Sequence, residues 1–206
     1  MRAPATTFVL GLALCSVCPI EAQAGDILTG EMGTGGDVRP TADTSPLRID
    51  AFAVEAGAGD DGIGRGGLAL QWDLGVKWLP VGDWYLGGYF ELSASYWEGD
   101  EGRTGTGSLG DFGLTPVFRF QKASMTYGVL PYVEAGASVH GMTDDQLGDK
   151  DFSTEFAFGS HGGIGIRFGD RARFELGYRY QHLSNLGIGD SNPGINFHLV
   201  RLGYHF

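Results

Sequence analysis

Phe174-Glu175-Leu176-Gly177-Tyr178-Arg179-Tyr180-Gln181-His182-Leu183-Ser184-Asn185 alternates apolar and polar side chains along most of its length. A period of two is the pattern of a β-strand with one face in an apolar medium. Phe174, Leu176, Tyr178 and Tyr180 share one face, with Glu175 and Arg179 on the other. His182 and Ser184 continue the apolar face. A polar group in that position costs free energy unless something compensates it. A base-type imidazole and a nucleophile-type hydroxyl on one greasy wall therefore set the question for the rest of the chain.

The same alternation recurs upstream and downstream, giving about eight candidate strands. The first covers Ile49–Gly57. The second places Leu68, Leu70, Trp72, Leu74, Val76 and Trp78 on one face in a single run. The third, fourth, fifth and sixth centre on Trp84–Tyr96, Phe112–Phe120, Val133–Val139 and Phe156–Phe168. The seventh is Ala172–Ser184 and the eighth Asn196–Phe206. Each is long enough for a tilted membrane strand of about 9–11 residues. Connections alternate between short (Pro80–Asp83, Gln121–Gly128, Gly169–Arg171) and mostly longer (Asp60–Gly66, Glu98–Gly110, Gly141–Thr154, Asn185–Pro193). Short turns at one end and long loops at the other fit an eight-stranded antiparallel up-and-down transmembrane β-barrel of the outer membrane, formed by residues 49–206. Aromatic residues near strand ends, among them Trp72, Trp78, Trp84, Trp97 and Tyr204, fit interfacial girdles. The ending on Tyr204 and Phe206 is like that of outer-membrane proteins handed to the barrel-assembly machinery, the partner expected during insertion. A soluble lipocalin-like barrel or a sandwich would carry the same alternation with its apolar face inward. In the membrane barrel, Asp73, Glu91, Arg119, Glu134, Arg167, Glu175 and Arg179 line the interior and pair there, because eight strands leave no wide pore.

The start of the chain reads as a secretory leader, residues 1–24. Arg2 precedes a short apolar run from Phe8 to Leu14, and Ala22-Gln23-Ala24 is a small-x-small cleavage site. Cleavage there leaves 206 − 24 = 182 residues and removes both cysteines, Cys15 and Cys18. No disulfide, thiol nucleophile or cysteine metal site is then expected, and no metal or cofactor. Leu14 stands before Cys15 where a lipoprotein signal needs a small residue. Residues 25–48, rich in Gly, Thr, Asp and Pro, read as a flexible segment. A net charge of −11 argues against a nucleic-acid partner. No apolar run of about 18 residues follows the leader, so no transmembrane helix is expected.

Topology places the polar pair. With both chain ends in the periplasm, the seventh strand climbs outward and the eighth returns. His182 and Ser184 then sit near the outer end of one strand, and Asn196 and His198 near the start of its neighbour, on the lipid-facing side. That height is the lipopolysaccharide leaflet, whose ester-linked acyl chains lie against the wall. An imidazole can take the proton of a serine hydroxyl. A third group should orient the imidazole, and Asn185 with the Gly187 N–H is placed to hold an oxyanion. The plainer reading is that His182 and Ser184 mark the headgroup boundary and that Asn185 and Gly187 shape a hairpin loop.

His182-Leu183-Ser184-Asn185-Leu186-Gly187-Ile188, followed by Asn192-Pro193-Gly194-Ile195-Asn196, resembles the outer-membrane lipid A 3-O-deacylases of the PagL type. Gly162–Gly169 and Glu175–Tyr180 also look like that family. The resemblance implies an eight-stranded barrel with its site on the lipid-facing surface, lipid A of lipopolysaccharide as substrate, and ester hydrolysis at the 3 position. It implies His182 as base, Ser184 as nucleophile, and Asn185 with the Gly187 backbone as oxyanion donors. The family carries a glutamate fourteen residues after the histidine, and here that position is Asn196. Three alternatives stay open: Asn196 orients His182 as an amide, Asp190 supplies the carboxylate, or the fold is kept without the activity. Glu175 is set aside because its parity points inward. Beside the esterase stands a non-catalytic small barrel of structural or adhesin type acting through Glu98–Gly110 and Gly141–Thr154, whose acidic side chains could meet divalent cations.

Overall fold

The computed structural model describes residues 48–206. The expected leader, and all of the 25–48 segment but Arg48, lie outside the described residues. Strands β1 (Ala51–Gly59), β2 (Gly64–Asp73), β3 (Trp78–Val81), β4 (Trp84–Glu98), β5 (Ser108–Lys122) and β6 (Val129–Met142) follow one another. A small hairpin, β7 (Gln146–Leu147) and β8 (Lys150–Asp151), precedes β9 (Phe156–Phe168), β10 (Phe174–Ser184) and β11 (Ile195–His205). Every pairing is antiparallel, and β11 returns to pair with β1, Ala51 opposite His205. The ring closes through β2–β4, β4–β5, β5–β6, β6–β9 and β9–β10. With β2 and β3 as two parts of one wall element, this is the eight-strand barrel the alternation called for. Closure removes the open edges that neither lipid nor water-free surroundings would tolerate.

The apolar face points outward. Leu68, Phe112, Ile164, Val200 and Leu202 are each more than half exposed. So much exposed apolar surface is stable only against lipid, which rules out the inward-apolar soluble barrel.

The inside is a ladder of charges. Arg179 meets Glu91 at 2.7 Å and Glu134 at 2.9 Å. Arg201 meets Glu91 at 2.7 Å and Glu175 at 3.1 Å, and also bonds Glu55. Arg119 bridges Glu134 and Glu175 at 2.7 and 2.8 Å. All seven are buried. Three guanidiniums interleaved with four carboxylates compensate one another where single charges would be prohibitive.

Two expectations need correction. The second strand is not one run: it stops at Asp73 and resumes at Trp78. Asp73 Oδ1 accepts from the Gly75 N–H at 2.7 Å, and Gly75 has φ +65°, so a side-chain-capped turn interrupts the strand. For the same reason Asp73 is exposed at the barrel mouth and takes no part in the interior ladder.

At the long-loop end the interior turns apolar. Ile63, Trp97, Leu109, Met142, Leu147, Phe152, Leu183, Ile195, Phe197 and Leu199 form a buried plug with Ala157. Trp97 and Phe197 pack edge to face at 4.7 Å. The Arg65 guanidinium lies over both rings at 5.6 and 5.2 Å and pairs with Asp111 at 3.4 Å. The plug stands directly behind the wall that carries His182 and Ser184, since Leu183 alternates between them.

Candidate active site

Strand register builds the site as a row across the wall. His182 on β10 faces Asn196 on β11. Phe197 faces Gly59 at the end of β1, so the next residue, Asp60, comes up beside Asn196. On the other flank Ser160 of β9 faces His182. His182, Ser184 and Asn196 are half-buried, while Asp60 and Ser160 are exposed. Their neighbours in sequence, Leu183, Ile195 and Phe197, point into the plug and fix the backbone that carries them.

His182 Nδ1 lies 2.8 Å from Asn196 Oδ1. The other ring nitrogen, Nε2, makes no hydrogen bond among the described residues, and neither does Ser184 Oγ. The two residues are one strand repeat apart on the same face, about 7 Å between Cα atoms. Asn196 is in turn held by Asp60: its side-chain Nδ2–H and its backbone N–H both donate to Asp60 Oδ2 at 2.9 Å. Gly194 (φ +60°) brings the β10–β11 connection against the imidazole, where an added Cβ would lie 3.1 Å from His182 Cε1. Lys150 ties the surrounding loops together, bonding the Gly194 carbonyl at 3.2 Å and Asp61 at 3.0 Å.

The structure commits the expected oxyanion donors elsewhere. Asn185 is buried, and its Nδ2 donates to the carbonyls of Phe152 and Ser191 at 2.8 and 2.7 Å. Its Oδ1 accepts the Gly187 N–H at 2.8 Å, and its own N–H donates to Asn192 Oδ1. As placed, the Asn185 side chain has no hydrogen left for an oxyanion and organises the 185–194 loop. Leu186 and Gly187 turn that loop through φ +54° and +80°.

His198 belongs to the next row and not to His182. It faces Tyr180, and its Nδ1 bonds Tyr178 Oη at 2.6 Å. Asp190 is exposed in the loop and makes no hydrogen bond to His182, whereas Glu175 is buried with Arg119, Arg201 and His205 as its parity required. Asp60 and Ser160 escaped the sequence reading. Asp60 lies in the turn after β1, far away in the chain, and Ser160 on the preceding strand, and only the register of β1 against β11 and of β9 against β10 brings them to His182.

A second serine–histidine–carboxylate arrangement lies inside the barrel. His140 Nε2 is 2.9 Å from Ser138 Oγ and Nδ1 2.8 Å from Asp111. Ser138, His140 and Asp111 are 6 %, 2 % and 0 % exposed, and Gln181 and Arg65 complete their hydrogen bonding. Sealed behind the strand wall, this group packs the interior and meets no acyl chain.

Comparison with known proteins agrees with the architecture and the motif. The family model for lipid A 3-O-deacylase (PagL) matches residues 64–205. The lipid A deacylase PagL of Pseudomonas aeruginosa is 30% identical over 149 residues, 70% of this chain and 82% of that protein. The lipid A deacylase PagL of Bordetella bronchiseptica is 34% identical over 116 residues, 56% of this chain and 60% of that protein. The crystal structure of the outer membrane enzyme PagL superposes with a TM-score of 0.68 at 25% identity, covering 76% of this chain and 99% of that one. An outward-facing histidine and serine on a closed eight-strand barrel, within a match from β2 to β11, place this chain in the lipid A 3-O-deacylase (PagL) family.

Proposed function

We propose that the protein is an outer-membrane esterase that removes the 3-position ester-linked acyl chain of lipid A, with Ser184 as nucleophile and His182 as general base. The observation that carries the reading is the His182–Asn196 bond on the lipid-facing wall, which leaves Nε2 free one strand repeat from Ser184. Asn196 Oδ1 can only accept, so Nδ1 carries the proton and Nε2 keeps its lone pair. Ser184 Oγ attacks the ester carbonyl as its proton passes to Nε2. The tetrahedral intermediate collapses, and the imidazolium returns the proton to the departing sugar 3-hydroxyl. Water, deprotonated by the same nitrogen, then cleaves the acyl-serine to a free fatty acid. The oxyanion takes the Gly187 N–H, which exchanges its bond to Asn185 Oδ1, while Asn185 holds the loop in place. Hydrogen bonds of this kind commonly form only in the complex with substrate.

In this reading the long-loop end faces outward, His182 and Ser184 lie at the level of the outer leaflet, and lipopolysaccharide is reached laterally from the bilayer. Residues 1–24 act as the secretory leader, and the barrel-assembly machinery inserts the strands. No step needs a metal or cofactor. The test is mass spectrometry of lipid A from a Gram-negative host that expresses the chain. Lipid A should lose the mass of one hydroxyacyl group, and Ser184→Ala or His182→Ala should abolish the loss. Unchanged lipid A from cells with folded wild-type barrel would favour the non-catalytic reading.

A further inference from the structure

We infer that Asp60 is the positioning residue that makes Asn196 a competent partner for His182, supplying from the turn after β1 the carboxylate that the family carries on β11. This deepens the esterase reading and rests on it. An asparagine is a poor orienter by itself because its amide has two ends. Turned one way, Oδ1 accepts from His182 Nδ1–H and leaves Nε2 as a base. Turned the other way, Nδ2 donates to Nδ1, the proton moves to Nε2, and the ring cannot take the serine proton.

Asp60 removes the ambiguity. An ionised carboxylate only accepts, and Asp60 Oδ2 stands 2.9 Å from Asn196 Nδ2. The NH₂ end is therefore claimed, and Oδ1 is left facing His182 Nδ1 at 2.8 Å. The same oxygen takes the Asn196 backbone N–H at 2.9 Å, so one carboxylate fixes both the residue and its amide. The placement follows from strand register: Asp60 continues β1 directly past the Gly59–Phe197 pair into the row of Asn196 and His182. It is braced there by the adjacent Asp61, which pairs with Lys150 at 3.0 Å, while Lys150 also bonds the Gly194 carbonyl beside the imidazole. The negative charge also lies along the line Asp60–Asn196–His182, where it favours the imidazolium formed during attack. Charge and orientation, joined in a single glutamate elsewhere in the family, are here divided between β11 and the turn that follows β1.

The test crosses two substitutions, Asp60→Asn and Asn196→Glu, in the full-length protein purified in detergent with lipid A in mixed micelles. Asp60→Asn should lower kcat about tenfold with KM little changed. That is well short of the ~10⁴-fold loss when an orienting residue enforces the wrong tautomer, because an unconstrained amide samples both. In the Asn196→Glu background the carboxylate meets His182 directly, so adding Asp60→Asn should cost nothing. An equal loss in both backgrounds would assign Asp60 to the β1–β2 turn alone and overturn the inference, as would no loss in the wild-type background. Nitrogen-15 NMR of the His182 ring gives a readout independent of turnover: Nδ1-protonated in wild type, mixed in Asp60→Asn. An Nε2-protonated ring in wild type, or identical spectra for the two proteins, would refute the role of Asp60. If wild type leaves lipid A intact, the esterase reading fails, and the ring spectrum still decides the Asp60 claim. Should Asp60→Asn not assemble, the double variant with Asn196→Glu keeps the comparison against Asn196→Glu alone, where any loss beyond that of the single variant counts against the inference.

Discussion

Leu183→Ala should damage stability and turnover together, because Leu183 connects the apolar plug to the active-site wall. Its side chain is 1 % exposed and points into the barrel, while His182 and Ser184 on either side point out. Its cross-strand partners are Ile195 on β11 and Gly159 on β9. The glycine offers no side chain to fill the space left behind. A buried Leu→Ala change that leaves a cavity costs about 3–5 kcal/mol. At about 1.4 kcal/mol per factor of ten, the folded-to-unfolded ratio falls by roughly two to three and a half orders of magnitude. The assay is urea unfolding in phospholipid vesicles, followed by tryptophan fluorescence and by gel mobility of unheated samples. The midpoint should drop at unchanged slope, the sign of lost stability without a change in exposed area. Under conditions where the variant is still folded, kcat should fall as well, since a displacement of about 1 Å at reacting atoms can cost 10²-fold. Leu183→Met, which keeps the volume, should cost less than about 1.5 kcal/mol and leave kcat near wild type. A cost below about 1 kcal/mol for Leu183→Ala, or full activity in a measurably loosened barrel, would refute the idea that the plug holds the wall.

Glu91→Gln should cost about 3–5 kcal/mol, because it withdraws a carboxylate from both Arg179 and Arg201 inside the barrel; equilibrium unfolding measures it, and a loss under 1 kcal/mol would mean the ladder is not jointly compensated. His161→Leu should be neutral or stabilising in the same assay, since neither ring nitrogen of this buried histidine has a hydrogen-bond partner among the described residues. Asn185→Ala should leave three loop groups, the Phe152 and Ser191 carbonyls and the Gly187 N–H, without their bonds. Hydrogen exchange or limited proteolysis of residues 185–194 should then accelerate, whereas unchanged protection with lost activity would make Asn185 an oxyanion donor after all.

Most of the barrel was legible in the sequence because lipid imposes a strict rule on one face of every strand. Phe174 to Tyr180, Ile164 to Phe168 and Val200 to Tyr204 obey it without interruption. The β2–β3 break escaped that rule because Leu74, Val76 and Trp78 keep the parity of a strand while Asp73 and Gly75 form a turn among them. The apolar plug was hidden for the opposite reason. Leu183, Ile195 and Phe197 point inward while their outward-facing neighbours His182, Ser184, Asn196 and His198 are polar, so the alternation inverts at these strand ends. His182, Ser184 and Asn196 stood out as polar intrusions on an apolar face. Asp60 had no such mark: it lies just past β1 in an Asp-Asp-Gly turn, where acidic residues are ordinary. Only the pairing of β1 with β11, the closure of the barrel, gives it a place beside Asn196. Asn185 shows the limit of motif reading, since its position after Ser184 suits an oxyanion donor equally well as a loop organiser.

The central claim, a serine nucleophile on the lipid-facing wall activated by His182, is tested most directly by covalent labelling. The purified wild-type barrel is treated with an alkyl fluorophosphonate, a reagent that captures activated serine hydroxyls, and the modified peptide is identified by mass spectrometry. The account predicts one label, on Ser184, that disappears in His182→Ala. Label on Ser160 or Ser138 in its place, or none on Ser184 in protein that still deacylates lipid A, would contradict it.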